Sequence, residues 1–276
     1  MSPGEEDDEG DLTRKQRREQ ARAQRRELEE AEAAKAVRRT RLTQLGIVVA
    51  IVAAVVIVIL IATGGGGTKK VAPHSAEANS TVAAVKTLIG GIPQSGNTLG
   101  DPKAPVTLQY FGDLECPVCK EFTLGALPAI IEKWVRTGQV KIEYHSLETA
   151  TREPEVFKTQ QIAAYAAGKQ AKAWDFIETF YHEQGEEGSG YVTESYIQGI
   201  AQQVPGLNLA TWTSARGEAS LANEVSSDAQ AASNAGFTGT PSFNLNKTGG
   251  PVQKFEPGTY TEVVPYNTAI EKLLKA

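Results

Sequence analysis

The sequence predicts an α/β domain built on a parallel strand-helix-strand unit, with a block of helices before its last strands and one transmembrane helix ahead of it. Three observations carry that reading. First, Leu45 to Ala62, "LGIVVAIVAAVVIVILIA", is 18 residues without a charged or strongly polar group, after a tail whose first 41 residues hold 11 basic and 11 acidic side chains. Second, "PVTLQYF" and "QVKIEYHSL" have strand patterns and enclose a helical one. Third, a long helical stretch separates them from a further strand pattern, "PSFNLN".

The apolar run approaches the roughly 20 residues that cross about 30 Å of hydrocarbon. Leu42, Thr43 and Thr63 supply the remaining length, which puts the span at 42–63. A cleaved signal peptide is the alternative, but its apolar region is typically about 7 to 15 residues behind a short leader. Lys35, Arg38, Arg39 and Arg41 precede the run, and only Lys69 and Lys70 follow it closely. That asymmetry predicts a single-pass cell-membrane protein with its N-terminus cytoplasmic and its C-terminal domain extracytoplasmic.

The tail, 1–41, opens with the acidic "SPGEEDDEGD" and continues into an Ala, Glu, Arg and Gln-rich stretch with a weak apolar stripe. It reads as a charged cytoplasmic segment, partly helical or disordered. Its near-zero net charge argues against a nucleic-acid partner. Four consecutive glycines open a flexible tether at 64–80. The compact domain is expected over 81–276, with a helical insertion at about 150–234.

Within that domain Pro105 and Gly112-Asp113 bound the first strand. Phe122, Leu127, Ile130, Ile131, Trp134 and Val135 then give helical spacing over Pro117 to Val135, with a bend expected at Pro128. Val140, Ile142 and Tyr144 share one face of the next strand, so the unit is a right-handed parallel crossover. Helices follow at Pro154 to about Glu183, Thr193 to Val204 and about Ala210 to Asn234. "PSFNLN", a Gly249-Gly250 break, a short "PVQKF" strand and a helix in "PYNTAIEKLLKA" close the chain.

The chemistry concentrates in "FGDLECPVCKEF", which holds the only two cysteines, Cys116 and Cys119. Two cysteines exclude a multi-disulfide scaffold, and more than 200 residues after Gly64 are enough to bury a core without one. A strand and turn lead into Cys116, and Pro117 suits the first helical turn. The Cys116 sulfur would then face free backbone N–H groups, which favour a thiolate, while Cys119 sits one turn inside. A structural disulfide and a zinc site are the alternatives. The first closes a very small loop and so contributes little chain entropy. The second lacks ligands, because His74, His145 and His182 show no suitable spacing. No cofactor and no metal are expected.

"GDPKAPVTLQYFGDLECPVCKEF", followed much later by "GFTGTPSFNLN", resembles the DsbA-like thiol-disulfide oxidoreductase branch of the thioredoxin superfamily, including its membrane-anchored bacterial members. The resemblance implies a thioredoxin-like fold with an inserted helical domain. It makes Cys116 the nucleophile and Cys119 the resolving cysteine, with Pro117, Val118, Thr240 and Pro241 as active-site support and Pro241 as the family's cis-proline. From the residues alone Pro241 is equally a trans turn or a strand start. Two positions depart from the strongly oxidising enterobacterial pattern. Val118 stands where that type has histidine, and Tyr110 stands where a buried carboxylate is common. Asp113 and Glu115 are expected to be exposed turn residues.

The implied activity is protein disulfide oxidoreduction. Its expected form is a monomeric dithiol oxidase that introduces disulfides into exported proteins through a mixed disulfide at Cys116. A quinone-linked membrane oxidoreductase would reoxidise it. An extracytoplasmic reductase or isomerase, or a non-catalytic peptide-binding module, is the competing expectation.

Overall fold

Six strands form a single sheet in the order β1-β2-β4-β3-β5-β6 in the computed structural model, which describes residues 75–276. At its centre, β3 (Val106–Gly112) has six of its seven residues buried, as a strand covered on both faces requires. Its neighbour β4 (Val140–Ser146) runs parallel, in register from Val106 opposite Val140 to Gly112 opposite Ser146. On the other side β5 (Ser242–Lys247) is antiparallel to β3, and the two-residue β6 (Lys254–Phe255) extends the edge. The remaining edge is a hairpin of β1 (Gln94–Ser95) and β2 (Thr98–Leu99). Gly96, at φ 57°, supplies the left-handed residue of its two-residue turn. These strands are too short for alternation to announce them.

The crossover from β3 to β4 is broken, and not at Pro128. After α1 (Ala76–Ile89), which is capped by Ser75, the chain enters β1 to β3 and then α2 (Pro117–Leu124) and α3 (Ala126–Ile130). The break is Gly125, at φ −101° and ψ −89°, where an added Cβ would fall 2.6 Å from the Glu121 carbonyl oxygen. Pro128 lies in the first turn of α3, where a missing N–H leaves no bond unmade. A π-helical turn, Ile131–Val135, completes the crossover, with Arg136 N–H donating to the Ile131 carbonyl. An aromatic cluster of Tyr110, Phe122, Phe243 and Tyr266 then joins the crossover to the sheet and to the last helix.

Helices α4 (Pro154–Gly168), α5 (Ala173–Glu183), α6 (Glu194–Gln203), α7 (Leu209–Ala215) and α8 (Ala219–Asn234) lie between β4 and β5. The long helix expected from Pro154 is divided between α4 and α5, and that from Ala210 between α7 and α8, whose gap contains Gly217. Buried tryptophans fix the block. Trp212 donates to the Ala163 carbonyl at 2.8 Å, and Trp174 to the Asn97 carbonyl at 2.9 Å. The C-terminal α9 (Val264–Lys275) buries Tyr266 and Ile270.

The expectation of a transmembrane helix is corrected here. Among the described residues no helix is long and apolar enough to cross a membrane. The longest, α8, has 16 residues and buries only Leu221, Val225, Asp228 and Ala232, the pattern of a helix with one wet face. The stretch 42–63 itself lies outside the described residues, as do the tail 1–41 and the tether as far as residue 74. Membrane anchoring, the single-pass cell-membrane location and the quinone-linked membrane partner are therefore not carried forward. Residues 76–80, assigned to the tether, are the start of α1.

Candidate active site

Where β3 ends, the chain turns sharply and starts α2, and one carboxylate holds that turn. Asp113 is fully buried. Its Oδ1 accepts from the Glu115 N–H at 3.0 Å and the Thr151 hydroxyl at 2.6 Å. Its Oδ2 accepts from the N–H groups of Thr149, Ala150 and Thr151 at 3.0, 2.8 and 2.9 Å. The loop before the cysteines is thereby tied to the loop after β4. Glu115 is also buried, at 5 % exposure. Both acids were expected on the surface. For Asp113 the physical reason is that a carboxylate can be buried where several N–H groups replace water around it; Glu115 is instead pushed by burial toward its neutral form. The available signal was an Asp that can accept from the N–H two residues on, as it does here.

Cys116 is the N-cap of α2, in extended geometry at φ −71° and ψ 119°, with exposed Pro117 in the first turn and half-buried Val118 after it. Its Sγ accepts from the Cys119 N–H at 3.4 Å and lies 3.5 Å from the Thr240 carbonyl oxygen, to which the thiol can donate. Cys119 is fully buried, against 5 % exposure for Cys116, and both are free thiols. The Thr240-Pro241 peptide bond is cis. Gln184, just past α5, was not singled out by its sequence context. Its side-chain amide donates to the carbonyls of Leu114 at 2.8 Å and Cys116 at 3.1 Å, clamping the loop from the helical block.

The two thiols are held in opposite electrostatic states. Hydrogen bonding with Cys119 and Thr240, with help from the N–H groups of Cys119 and Val118, lowers the Cys116 thiol to about 6 against the opposing effect of burial. Burial pushes the Cys119 thiol well up, and the Cys116 sulfur reinforces the shift. Burial, aided by the Asp113 charge, also raises Glu115 to about 7. Val118 brings no charge of its own, so the helix-start N–H groups act without the histidine of the enterobacterial pattern.

Because the folded pKa of Cys116 lies below the ordinary thiol value of 9.0, its ionisation stabilises the reduced fold fully above about pH 9. That contribution is lost as the pH falls through about 6. In the reduced protein, alkylation of Cys116 by iodoacetamide is expected to rise with a midpoint near pH 6 and to level off by neutrality. A midpoint near the free-thiol value would remove the assigned activation.

Other sequence candidates fall elsewhere. His145 lies on β4, 2.7 Å from Asp228 and stacked on Phe111. Although burial opposes it, the Asp228 hydrogen bond and the Glu143 carboxylate 3.9 Å away raise His145 to about 9, which favours the charged ring in a structural contact. Beside Thr240 and Pro241 runs a cleft of about 370 Å³ whose walls include Phe237, Phe255, Pro257 and Tyr260.

A paired-thiol helix start beside a parallel-antiparallel sheet, with an adjacent cis-proline, defines a thiol-disulfide oxidoreductase enzyme on a thioredoxin-like, DsbA-like fold. The chain belongs to the thioredoxin family, whose pattern matches residues 94–254, more than half of its length. Disulfide bond formation protein D of Bacillus subtilis is 26 % identical over 153 residues, covering 54 % of this chain and 66 % of that protein. Among solved structures, oxidised BdbD of Bacillus subtilis is 22 % identical with a TM-score of 0.57, covering 68 % of this chain and 99 % of that one. The α-DsbA1 of Wolbachia pipientis is 20 % identical with a TM-score of 0.55, covering 65 % and 90 %. Those two likenesses describe the fold.

Proposed function

We propose that the protein is a dithiol oxidase that introduces disulfides into substrate proteins with exposed cysteines. Cys116 is the sulfur attacked by the substrate, and Cys119 is the inner partner that leaves and resolves. A substrate thiolate bonds to the Cys116 sulfur of the Cys116-Cys119 disulfide, and the electron pair of the broken bond moves to Cys119. A second substrate thiolate then attacks the substrate sulfur of the mixed disulfide and expels Cys116 as a thiolate. The substrate has lost two electrons and the enzyme pair has gained them.

The observation that carries this direction is the Cys116 sulfur at the start of α2, accepting from the Cys119 N–H at 3.4 Å, an arrangement that lowers the thiol to about 6. A low-pKa thiol is the better leaving group in the second step, and stabilising it stabilises the reduced enzyme, which makes the disulfide a stronger oxidant. The name of the Bacillus subtilis relative, disulfide bond formation protein D, points the same way. Thr240 and Pro241 support the site by setting a backbone carbonyl beside Cys116, within reach of an extended substrate segment in the neighbouring cleft. Pro117 and Val118 support it by starting α2 and packing its first turn.

A redox titration of Cys116-Cys119 against glutathione, paired with oxidation of a reduced unfolded client, tests the proposal. The expected potential lies above about −200 mV, between the glutaredoxin range and that of DsbA. A value near or below about −250 mV, with insulin reduction faster than client oxidation, would assign the enzyme to reduction or isomerisation instead.

A further inference from the structure

On the sheet face opposite Tyr110, a row of polar side chains crosses four strands, and two-cysteine exchange leaves it without a task. Register makes Glu143 of β4, Gln109 of β3, Asn244 of β5 and Lys254 of β6 successive cross-strand partners. Lys141 Nζ holds Glu143 Oε1 at 2.8 Å, and Gln109 Nε2 donates to Glu143 Oε2 at 3.3 Å. Asn244 Nδ2 in turn donates to Gln109 Oε1 at 3.1 Å. The carboxylate fixes the sense of both amides. The His145 ring 3.9 Å away and Lys141 lower Glu143 to about 2 against burial, so it stays ionised and can only accept. Gln109 must therefore turn its nitrogen to Glu143, and Asn244 its nitrogen to Gln109.

That order leaves the Asn244 oxygen over. Asn244 is 3 % exposed, and its Oδ1 has no hydrogen-bond partner among the described residues. With Nδ2 turned toward β3, the oxygen lies on the β6 side. Lys254 stands next in the row, but its Nζ goes to Glu256 at 2.9 Å. The run of donors and acceptors thus ends one strand short of Lys254. A cleft of about 500 Å³ lies there, lined by Gln109, Phe111 and Asn244 of the sheet, by Val252 and Lys254, and by Asn234 at the end of α8. It adjoins the cleft beside Pro241. Lys254 lines both, and Phe111 of one meets Phe237 of the other with ring centroids 5.0 Å apart.

We propose that this second cleft is a client subsite that takes a carboxamide side chain, Asn or Gln, of a polypeptide whose cysteine reacts at Cys116. The inference rests on the thiol exchange proposed above. The carboxamide nitrogen donates to Asn244 Oδ1 while its oxygen accepts from Lys254 Nζ, so every donor from Lys254 to Glu143 points the same way. Hydrogen bonds aligned in this manner polarise one another. Other side chains fit worse. A carboxylate sets its oxygens against the Asn244 oxygen and has no proton to give it. Lysine or arginine brings a second cation to Lys254. An aliphatic group leaves the buried Asn244 oxygen unpaired. Asn244 follows Thr240 by four positions, about 13 Å at about 3.3 Å per strand residue, so a client residue about that far from the reacting cysteine reaches the subsite.

The test uses the full chain carrying Cys119→Ser and peptides whose single cysteine is capped with thionitrobenzoate. Cys116 attacks the peptide sulfur, and release of the coloured thiol reads the second-order rate. Gln, Glu or Leu is placed at each nearby position on either side of the cysteine. At one position Gln is expected to react about tenfold faster than Glu or Leu, the size of one hydrogen bond against an unpaired acceptor. Asn244→Leu is expected to erase that preference. Gln109→Leu frees the Asn244 amide to turn over, so the Gln-over-Glu ratio should fall at least about threefold, a change that loosened packing alone would not produce. Indifference to the side chain at every position would overturn the proposal, as would a preference that survives Asn244→Leu. Should Asn244→Leu fail to fold, Gln109→Leu decides: an unchanged ratio ends it. A cysteine-free Gln peptide should also shift the Asn244 side-chain amide signals in a nitrogen-proton NMR spectrum of the full chain, and a Glu peptide should not. No shift with Gln counts against the subsite. If no capped peptide reacts, the exchange reading fails, while the NMR result still judges the subsite by itself.

Discussion

Cys116→Ser is expected to reduce dithiol oxidation to the uncatalysed rate, and Cys119→Ser to accumulate enzyme joined covalently to its clients. The asymmetry follows from where the sulfurs sit. Cys116 caps α2, retains slight exposure and lies beside the Thr240 carbonyl, so the substrate meets it first. A serine oxygen there cannot form the mixed disulfide at all. Cys119 is sealed from solvent and carries a raised pKa, so under the proposed exchange it departs from Cys116 and later returns to it. Without Cys119 a mixed disulfide at Cys116 loses its intramolecular escape and awaits a second thiol from outside, which is far slower than attack by a neighbour held in place. Non-reducing electrophoresis with mass spectrometry reads the trapped species, and client oxidation reads the rate. Full oxidation by either variant would refute the two-cysteine mechanism.

Asp113→Ala is expected to lower stability by about 3 to 5 kcal/mol, through the mechanism that makes buried polar deletions severe: groups left without a partner. The substitution removes the acceptor of four backbone N–H groups and one hydroxyl. Each orphaned buried donor costs about 1 to 3 kcal/mol, and water entering the new space restores part of it. For a domain of this size the thermal midpoint should fall by on the order of 10 °C. Circular dichroism melts of the reduced and oxidised protein check it. A change under about 1 kcal/mol would mean that the loops after β3 and β4 hold each other by other contacts. Loss of the Asp113 charge should also let Glu115 titrate at lower pH, because like-charge repulsion is part of what raises it.

The central strands, the helix start at Cys116 and the final helix were legible because each combines a periodic apolar pattern with a punctuating Pro, Gly or Cys. Val140, Ile142 and Tyr144 share a buried face as alternation requires. Asp113 and Glu115 were not legible. The burial of Asp113 depends on Thr149 to Thr151, more than 30 residues away, and no local pattern reports a partner at that distance. Gln184 escaped notice for the same reason, since its amide serves carbonyls 68 and 70 positions earlier. Gly125 was passed over in favour of Pro128 because proline is the louder helix breaker, although its place in the first turn of α3 makes it harmless. The apolar run at 45–62 lies outside the described residues, and among those no helix is long and apolar enough to cross a membrane.

The long excursion between β4 and β5 leaves and re-enters at the same end of the sheet, where the hydroxyls of Thr149 and Thr240 touch across 91 positions of sequence. In kinetic terms, the site is a late product of the chain's own closure. A growing chain exposes Cys116 and Cys119 long before Thr240 is made, and such distant contacts form only after the entropy of a large loop has been overcome. Until then the Cys116 sulfur lacks the neighbouring carbonyl and the Gln184 clamp. An immature chain thus lacks the Thr240 share of what lowers the Cys116 thiol, and that share arrives only when the strand after the helical block has joined the sheet.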